Sequence, residues 1–426
     1  MLRIALISEH ASPLAAAGGV DSGGQNIYVA QVARHLSKLG HAVDVFTRRD
    51  DASQPAIVDW EDGVRVVHVP AGPARVVAKE ALLPYMDEFA RFMVEHCRSH
   101  GDYDLAHANF FMSGLVALRL KQARAIPFAV TFHALGLVRR QHQKEADRFP
   151  AERADIERRV AQGADRIVAE CPQDEHDLVT LYGADPRRIS VVPCGFDADE
   201  FGPVAREVAR LKLGLADDER IVLQLGRLVP RKGIDNVIRG LARLRDGHRI
   251  DARLLVVGGD SDRPDPVATP ELGRLQRVAE EEGVRDRVTF IGQRGREVLR
   301  WYYGAADVFV TTPWYEPFGI TPLEAMACGT PVIGADVGGL RYSVVHGQTG
   351  YLVPPRDPDA LAARLADVYR HPEITRHMGR EAIRRVNEHF TWQGVAARLA
   401  TLFAGVARPT RAQAASPAWR HPAART

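Results

Sequence analysis

Short β-branched runs alternate with longer amphipathic patterns along almost all of the chain, and the alternation begins afresh past its middle. No other feature restricts the fold as strongly. Strands separated by helices close a core as a parallel sheet covered on both faces. Arg3–Ser8, Val43–Thr47, Val64–Val69, Leu105–Ala108, Phe128–Phe132, Arg166–Ala169 and Ile189–Val192 read as strands. Gln25–Leu39 reads as a helix, with Ile27, Val29, Val32, Ala33, Leu36 and Leu39 near one face and Gly40 as its stop. Leu82–Arg98 reads as another. Pro193–Pro203, rich in Gly, Pro and Asp, reads as a linker. Beyond it, strands are predicted at Ile221–Leu225, Leu254–Val257, Val288–Ile291, Val308–Thr311 and Pro331–Ile333, with helices at Ile234–Leu244, Glu271–Glu282, Glu297–Tyr303 and Pro322–Cys328. The expected architecture is α/β: two doubly wound, Rossmann-like domains, 1–203 and 204–390. Ligands in such sheets bind outside the carboxyl ends of the strands, so two of them facing each other make an interdomain cleft. The remainder, 391–426, divides into a helix over Thr391–Val406, expected to cross back to the first domain, and a tail from Ala407. That tail holds four Arg, three Pro and no acid and is expected to be disordered.

Charge and composition narrow the function classes. Fifty-six Lys and Arg against 54 Asp and Glu leave a net charge of +2, a poor basis for nonspecific nucleic-acid binding. Four cysteines, Cys97, Cys171, Cys194 and Cys328, form no CxxC pair, so they read as bystander thiols of a cytoplasmic protein. The N-terminal apolar run meets Glu9 and His10 where a cleavage region would stand, and no stretch of about 18 apolar residues occurs. No GxGxxG follows either opening strand, which disfavours a dinucleotide reductase, and P-loop, GxSxG and HExxH motifs are missing. His96, Cys97 and His100 do not have the spacing of a metal site.

Four features carry chemistry. Gly18–Gly24 lies between the first strand and the first helix, where glycine amides and a helix N-terminus can approach an anion. Gly226–Gly233 sets Arg227, Arg231 and Lys232 at the carboxyl end of a strand, which suits a diphosphate. Glu316 and Glu324 lie eight residues apart around Gly319 and Pro322, one in a loop facing a ligand and one on the following helix. His133 stands at a strand end in Thr131-Phe132-His133-Ala134. Each has an ordinary reading as well: a flexible loop, a solvated basic turn, a helix-capping Glu, a hydrogen-bonded structural His.

Taken together, these features resemble the retaining, nucleotide-sugar-dependent glycosyltransferases of family 4, which have the GT-B fold. The resemblance runs from Arg3 to His389 and is most specific in EPFGITPLEAMACGTPVI. The start of the chain is most similar to two branches, the inositol-phosphate glycosyltransferases and the sucrose-phosphate and sucrose synthases. The resemblance implies glycosyl transfer with retention, UDP being the leading choice of nucleotide, and calls for neither metal nor cofactor. It implies that Arg227 and Lys232 hold the donor diphosphate and that Glu324 takes the ribose hydroxyls. Glu316 would contact the transferred sugar, helped by the amides of Phe318, Gly319 and Ile320, with Arg294 at the base. His133 would line the reacting centre, and Gly23 and Gly24 would offer amides to the phosphates.

For the acceptor, the inositol-phosphate branch implies His10, Asn26, Lys79 and Arg153, all present here. Its Tyr and Thr positions are occupied by Phe110 and Ala134, so two hydroxyls are missing. The acceptor is therefore expected to be a small polar hydroxyl compound, with or without a phosphate, other than D-inositol 3-phosphate. Two alternatives stay open: a sugar-nucleotide epimerase-like enzyme, and a sugar-nucleotide-binding protein without turnover. Oligomeric state has no signature in the sequence.

Overall fold

The structure, a computed structural model, describes residues 1–15 and 23–407. Most of the Gly18–Gly24 loop and the tail beyond Ala407 lie outside the described residues. Eight strands form the first sheet: β1 (Arg3–Ile7), β2 (Ala42–Arg48), β3 (Ile57–Glu61), β4 (Val64–Val69), β5 (Leu105–Asn109), β6 (Phe128–Thr131), β7 (Arg166–Ala169) and β8 (Ile189–Val191). Their spatial order is β3-β4-β2-β1-β5-β6-β7-β8, all parallel except β3, which pairs antiparallel with β4. Six strands form the second: β9 (Ile221–Leu225), β10 (Arg253–Val257), β11 (Val288–Gly292), β12 (Val308–Thr311), β13 (Val332–Ala335) and β14 (Gly350–Val353). They run parallel in the order β11-β10-β9-β12-β13-β14.

The central strands are buried on both faces. Ile4 to Ile7 of β1, Leu105 to Asn109 of β5 and Ile221 to Leu225 of β9 are all buried, because helices cover both sides of each sheet. Each sheet reverses its order once, at β1/β5 and at β9/β12. These switch points fix where a ligand can enter. The loops after β1 and β5 carry His10 and Phe110, and those after β9 and β12 carry Arg227 and Glu316.

The structure differs from the sequence reading chiefly at two edge strands and two helix starts. Strands β3 and β14 escaped it: β3 is a half-exposed edge strand with two acids in five residues, and β14 is four residues long. The helix expected over Leu82–Arg98 begins only at Met86, after two short 3₁₀ turns, because Pro84 disfavours a regular helix through the residue before it. The helix expected at Pro322–Cys328 spans Ile320–Ala327, so Pro322 sits inside its first turn, where no partner amide is required.

The chain crosses between the lobes twice, and the two crossings lie side by side. Phe196 forms a parallel bridge with Thr391, and its amide donates to the Phe390 carbonyl at 2.8 Å. A Cβ on Gly195 would lie 2.8 Å from the Trp392 nitrogen and 3.0 Å from the Phe390 oxygen, so only glycine permits this approach. The last helix, Trp392–Ala404, then packs on the first helix, Gly24–Lys38, of the opposite lobe.

Candidate active site

Between the two switch points lies a cleft of about 330 Å³. The residues singled out from the sequence all line it: His10, Gly23, Gly24, Asn26, Lys79, Phe110, His133, Ala134, Arg153, Arg227, Arg294, Lys232, Glu316, Phe318, Gly319, Ile320 and Glu324. The lobes nearly touch across it. A Cβ at Gly23 would stand 3.8 Å from the Arg227 guanidinium carbon, and one at Gly24 would stand 3.6 Å from Ile320.

The second lobe contributes the cations. Arg231 and Lys232 lie in the short turn Pro230–Lys232, which ends at Gly233 with φ +64°. A Cβ there would fall 2.0 Å from the Thr312 carbonyl, so glycine lets the turn seat against the end of β12. The Lys232 ammonium forms an ion pair with Glu316. Burial pulls the lysine's pKa down, whereas Lys232, Arg231 and Arg227 together outweigh burial and keep the Glu316 carboxyl below its ordinary value. Arg227, Arg231 and Lys232 thus gather around the Glu316 carboxylate at the mouth of β9.

The Glu316 loop is held by glycines. Gly319 has φ +95° just before the helix Ile320–Ala327. Opposite it, a Cβ on Gly338 would lie 2.0 Å from the Glu316 carbonyl and one on Gly339 would lie 2.3 Å from Phe318 Cα. Phe318, Gly319 and Ile320 therefore line the cleft at a helix N-terminus, where the macrodipole favours an anion. On that helix Glu324 is 1% exposed. Its Oε1 accepts from Arg296 at 3.0 Å and its Oε2 from the Tyr303 hydroxyl at 2.9 Å. Arg294 Nη1 donates to the carbonyls of Asp262 (2.8 Å) and Gln293 (2.6 Å), which pins the loop after β10 to the end of β11.

The first lobe presents His133 with φ +58°. Its Nδ1 lies 2.9 Å from Glu170 Oε1 and its Nε2 lies 3.0 Å from Asn109 Oδ1, so both ring nitrogens are engaged within the lobe. A ligand hydroxyl can bond this ring only by displacing Asn109. The Cys194 thiol also donates to Glu170, at 3.1 Å. Next to it, Asp174 accepts from the Glu170 amide, and burial together with the Glu170 charge pushes its carboxyl up to about 8.

Among the residues expected to meet the acceptor, several are already used inside the protein. Asn26 accepts from the Gly23 amide at 3.0 Å and donates to the Ser12 carbonyl at 3.0 Å. His10 Nδ1 lies 2.7 Å from Glu9. Arg153 is 2% exposed, with Phe110, Phe111 and Phe149 packed about its guanidinium at 4.9, 4.8 and 4.5 Å. It donates to Glu157 and to the Ala134 carbonyl, while its Nη1 has no partner among the described residues.

Several lining residues were not singled out from the sequence: Glu170, Arg139, Tyr315, Arg296, Gly258 and Gly259. Tyr315 joins the lobes, accepting from Gln143 Nε2 at 2.5 Å while stacked on His142 at 5.0 Å and lying under Arg231 at 5.3 Å. The glycines could have been suspected from Gly258-Gly259 at the end of a predicted strand. Among the described residues, no helix is long and apolar enough to cross a membrane.

Comparison with known proteins places this cleft in context. The model of glycosyltransferase family 4 matches residues 22–200, and that of glycosyl transferases group 1 matches residues 205–385. A D-inositol 3-phosphate glycosyltransferase of Geodermatophilus obscurus is 39% identical over 87% of this chain and 83% of its own. One from Kribbella flavida is 37% identical over 92% of each. Among solved structures, sucrose-phosphate synthase from Thermosynechococcus elongatus superposes with a TM-score of 0.87 at 36% identity, over 95% of this chain and 99% of its own. Anabaena HepE in complex with UDP-glucose shares the fold at a TM-score of 0.73 and 20% identity, over 95% and 100%. With its two Rossmann-like lobes, the chain belongs to the GT-B glycosyltransferases of family 4.

Proposed function

We propose that this glycosyltransferase moves a hexosyl group, with retention, from a UDP-sugar to a small hydroxylated acceptor. The observation that carries the reading is the cluster of Arg227, Arg231 and Lys232 around Glu316, set beside the N-terminus of Ile320–Ala327. A diphosphate suits such a cluster. As the bond from the anomeric carbon to the phosphate oxygen breaks, negative charge grows on the diphosphate, and Arg227 and Lys232 stabilise it. The Lys232 ammonium, paired with Glu316 without a donor, then turns toward phosphate and frees Glu316 for a sugar hydroxyl. Glu324 takes the ribose hydroxyls. The acceptor hydroxyl attacks on the face the diphosphate leaves and passes its proton to a phosphate oxygen, which gives a glycoside and the nucleoside diphosphate. This front-face course is the family's scheme. A double displacement would require a nucleophilic carboxylate about 5 Å from the acid, and Glu316 and Glu324 are committed to the donor in this reading.

Within this reading the half 1–203 faces the acceptor and 204–390 the donor, with turnover in the cytoplasm. Lys79 and the open Nη1 of Arg153 support an acceptor that carries an anion or several hydroxyls. Phe110 and Ala134 withhold two hydroxyls, at about 0.5–1.5 kcal/mol for each hydrogen bond lost. The expected best acceptor is therefore not D-inositol 3-phosphate. Incubation with UDP-glucose and D-inositol 3-phosphate, fructose 6-phosphate or neutral sugars, followed by mass spectrometry and NMR of the anomeric centre, tests all three points. An inverted anomer overturns retention. A preference above tenfold for D-inositol 3-phosphate overturns the acceptor reading.

A further inference from the structure

Arg296 is the first residue of the helix Arg296–Ala305, and it lines the donor half of the cleft. Its guanidinium is shared between two acids far apart in the chain. Nη1 donates to Glu324 Oε1 at 3.0 Å, and Nε and Nη2 reach Glu200 Oε2 at 2.8 and 2.5 Å. Phe201 supports its face at 5.0 Å. The other oxygen of Glu324 is held by Tyr303, whose own carbonyl accepts from Thr330 at 2.7 Å. Glu324 is thus fixed at both oxygens, in one plane, with lone pairs left over for donors in the cleft.

Glu200 belongs to the linker between the lobes, and three residues earlier Asp197 accepts from Gln31 Nε2 at 2.8 Å. Gln31 lies on Gly24–Lys38, the helix whose first residue lines the same cleft. Polar contacts therefore lead from Glu324 through Arg296 to Glu200 in the linker, and from Asp197 of the same linker to the first lobe.

We propose that Arg296 is a positioning residue for nucleotide recognition: it sets the Glu324 carboxylate for the ribose hydroxyls and ties that grip to the interlobe linker through Glu200. The inference rests on the reading of Glu324 as the ribose contact. An arginine that merely closed a surface ion pair would have no need to reach both acids from inside the cleft. Replacing it leaves Glu324 able to rotate about its last torsion, so the ribose loses a preset acceptor while the diphosphate clamp is untouched.

The test is calorimetric binding of UDP, 2′-deoxy-UDP and 3′-deoxy-UDP to the wild-type chain and to R296M, R296K, E200Q and E324Q, with donor KM and kcat for the same set. In the wild type, UDP should bind about 10- to 100-fold tighter than at least one deoxy analogue. R296M should lose most of that preference and raise the donor KM by about tenfold with kcat within about threefold, and R296K should restore part of it. E200Q, which leaves the Arg296–Glu324 bond in place, should weaken UDP by about threefold and soften the preference. If E324Q loses the ribose preference and R296M keeps it, this inference is wrong and the ribose reading stands. If the wild type shows no preference, or E324Q keeps one, the ribose reading fails and takes this inference with it. Should R296M fold poorly, E200Q decides: an unchanged UDP affinity overturns the link to the linker.

Discussion

Lys232 and Glu316 each stand in surroundings that would penalise a lone charge, and each is compensated by the other. Removing one partner should therefore hurt more than removing both. Lys232→Ala is expected to destabilise the nucleotide-free protein by about 3–5 kcal/mol, and Lys232→Met with Glu316→Gln to recover much of it without activity. Chemical denaturation of the single and double variants checks this, and equal losses would contradict it. Arg227→Ala should instead leave the fold intact and lower kcat/KM by about 10- to 100-fold or more, the worth of one charge-assisted hydrogen bond. Under the proposed reading the protein's own cations neutralise the diphosphate, so transfer should survive chelation of divalent ions. Complete loss in a chelator, restored by magnesium or manganese, would overturn that expectation. Arg227, Lys232, Glu316 and Glu324 were legible in the sequence because each sits at a strand end or helix start within one short motif. Arg296 was not: its partners are 28 and 96 positions away, and no local pattern marks such a meeting. Glu170 was hidden from the reading of His133 for the same reason, at a separation of 37.

At the scale of elements, two histidines inside the first lobe set a pH dependence. In β5, burial first and the nearby His133 second hold His107 down to about 3. In the helix Met86–His100, burial and His100 hold His96 down to about 4. Below about pH 6.5 the unfolded chain binds protons at both positions and the native chain does not, so stability falls with pH by up to about 1.4 kcal/mol per unit for each group. The melting temperature should drop between pH 7 and pH 5, and His96→Gln should flatten that slope. An identical slope in the variant would refute the assignment. The Glu316 loop leads to a sharper expectation. Gly339→Ala puts a methyl 2.3 Å from Phe318 Cα, so the loop must shift, at about 1–3 kcal/mol. UDP affinity measured by calorimetry should fall more than tenfold while the melting temperature moves by only a few degrees. The alternation of strands and helices was readable because both lobes repeat one strongly patterned unit. Edge strands β3 and β14 were not, since a half-exposed or four-residue strand carries too little pattern to stand out from a loop.

For the whole molecule, contacts from one lobe to the other describe a closed arrangement: Gln143 with Tyr315, the Cys171 thiol with the Pro317 carbonyl at 3.4 Å, and Gly23 beside Arg227. Small-angle scattering should give dimensions matching this arrangement with saturating UDP and larger ones without it, and unchanged dimensions would argue against a closing cleft. Two lobes around a cleft were foreseeable from the repeated pattern and the linker at Pro193–Pro203. The pairing of Phe196 with Thr391 was not, because it joins segments almost two hundred positions apart that carry no shared signal. That pairing also bears on how such enzymes diversify. Both crossings meet in one narrow joint, and the last helix rides on the first lobe, so the chain can be parted there at one place. A chimaera that takes 204–390 from one relative and everything else from another keeps most of each cleft face together, with the Arg296–Glu200 and Gln143–Tyr315 contacts to be matched across the cut. Under the proposed reading, donor and acceptor preference should then be reassorted by exchanging lobes, without redesign of either residue by residue.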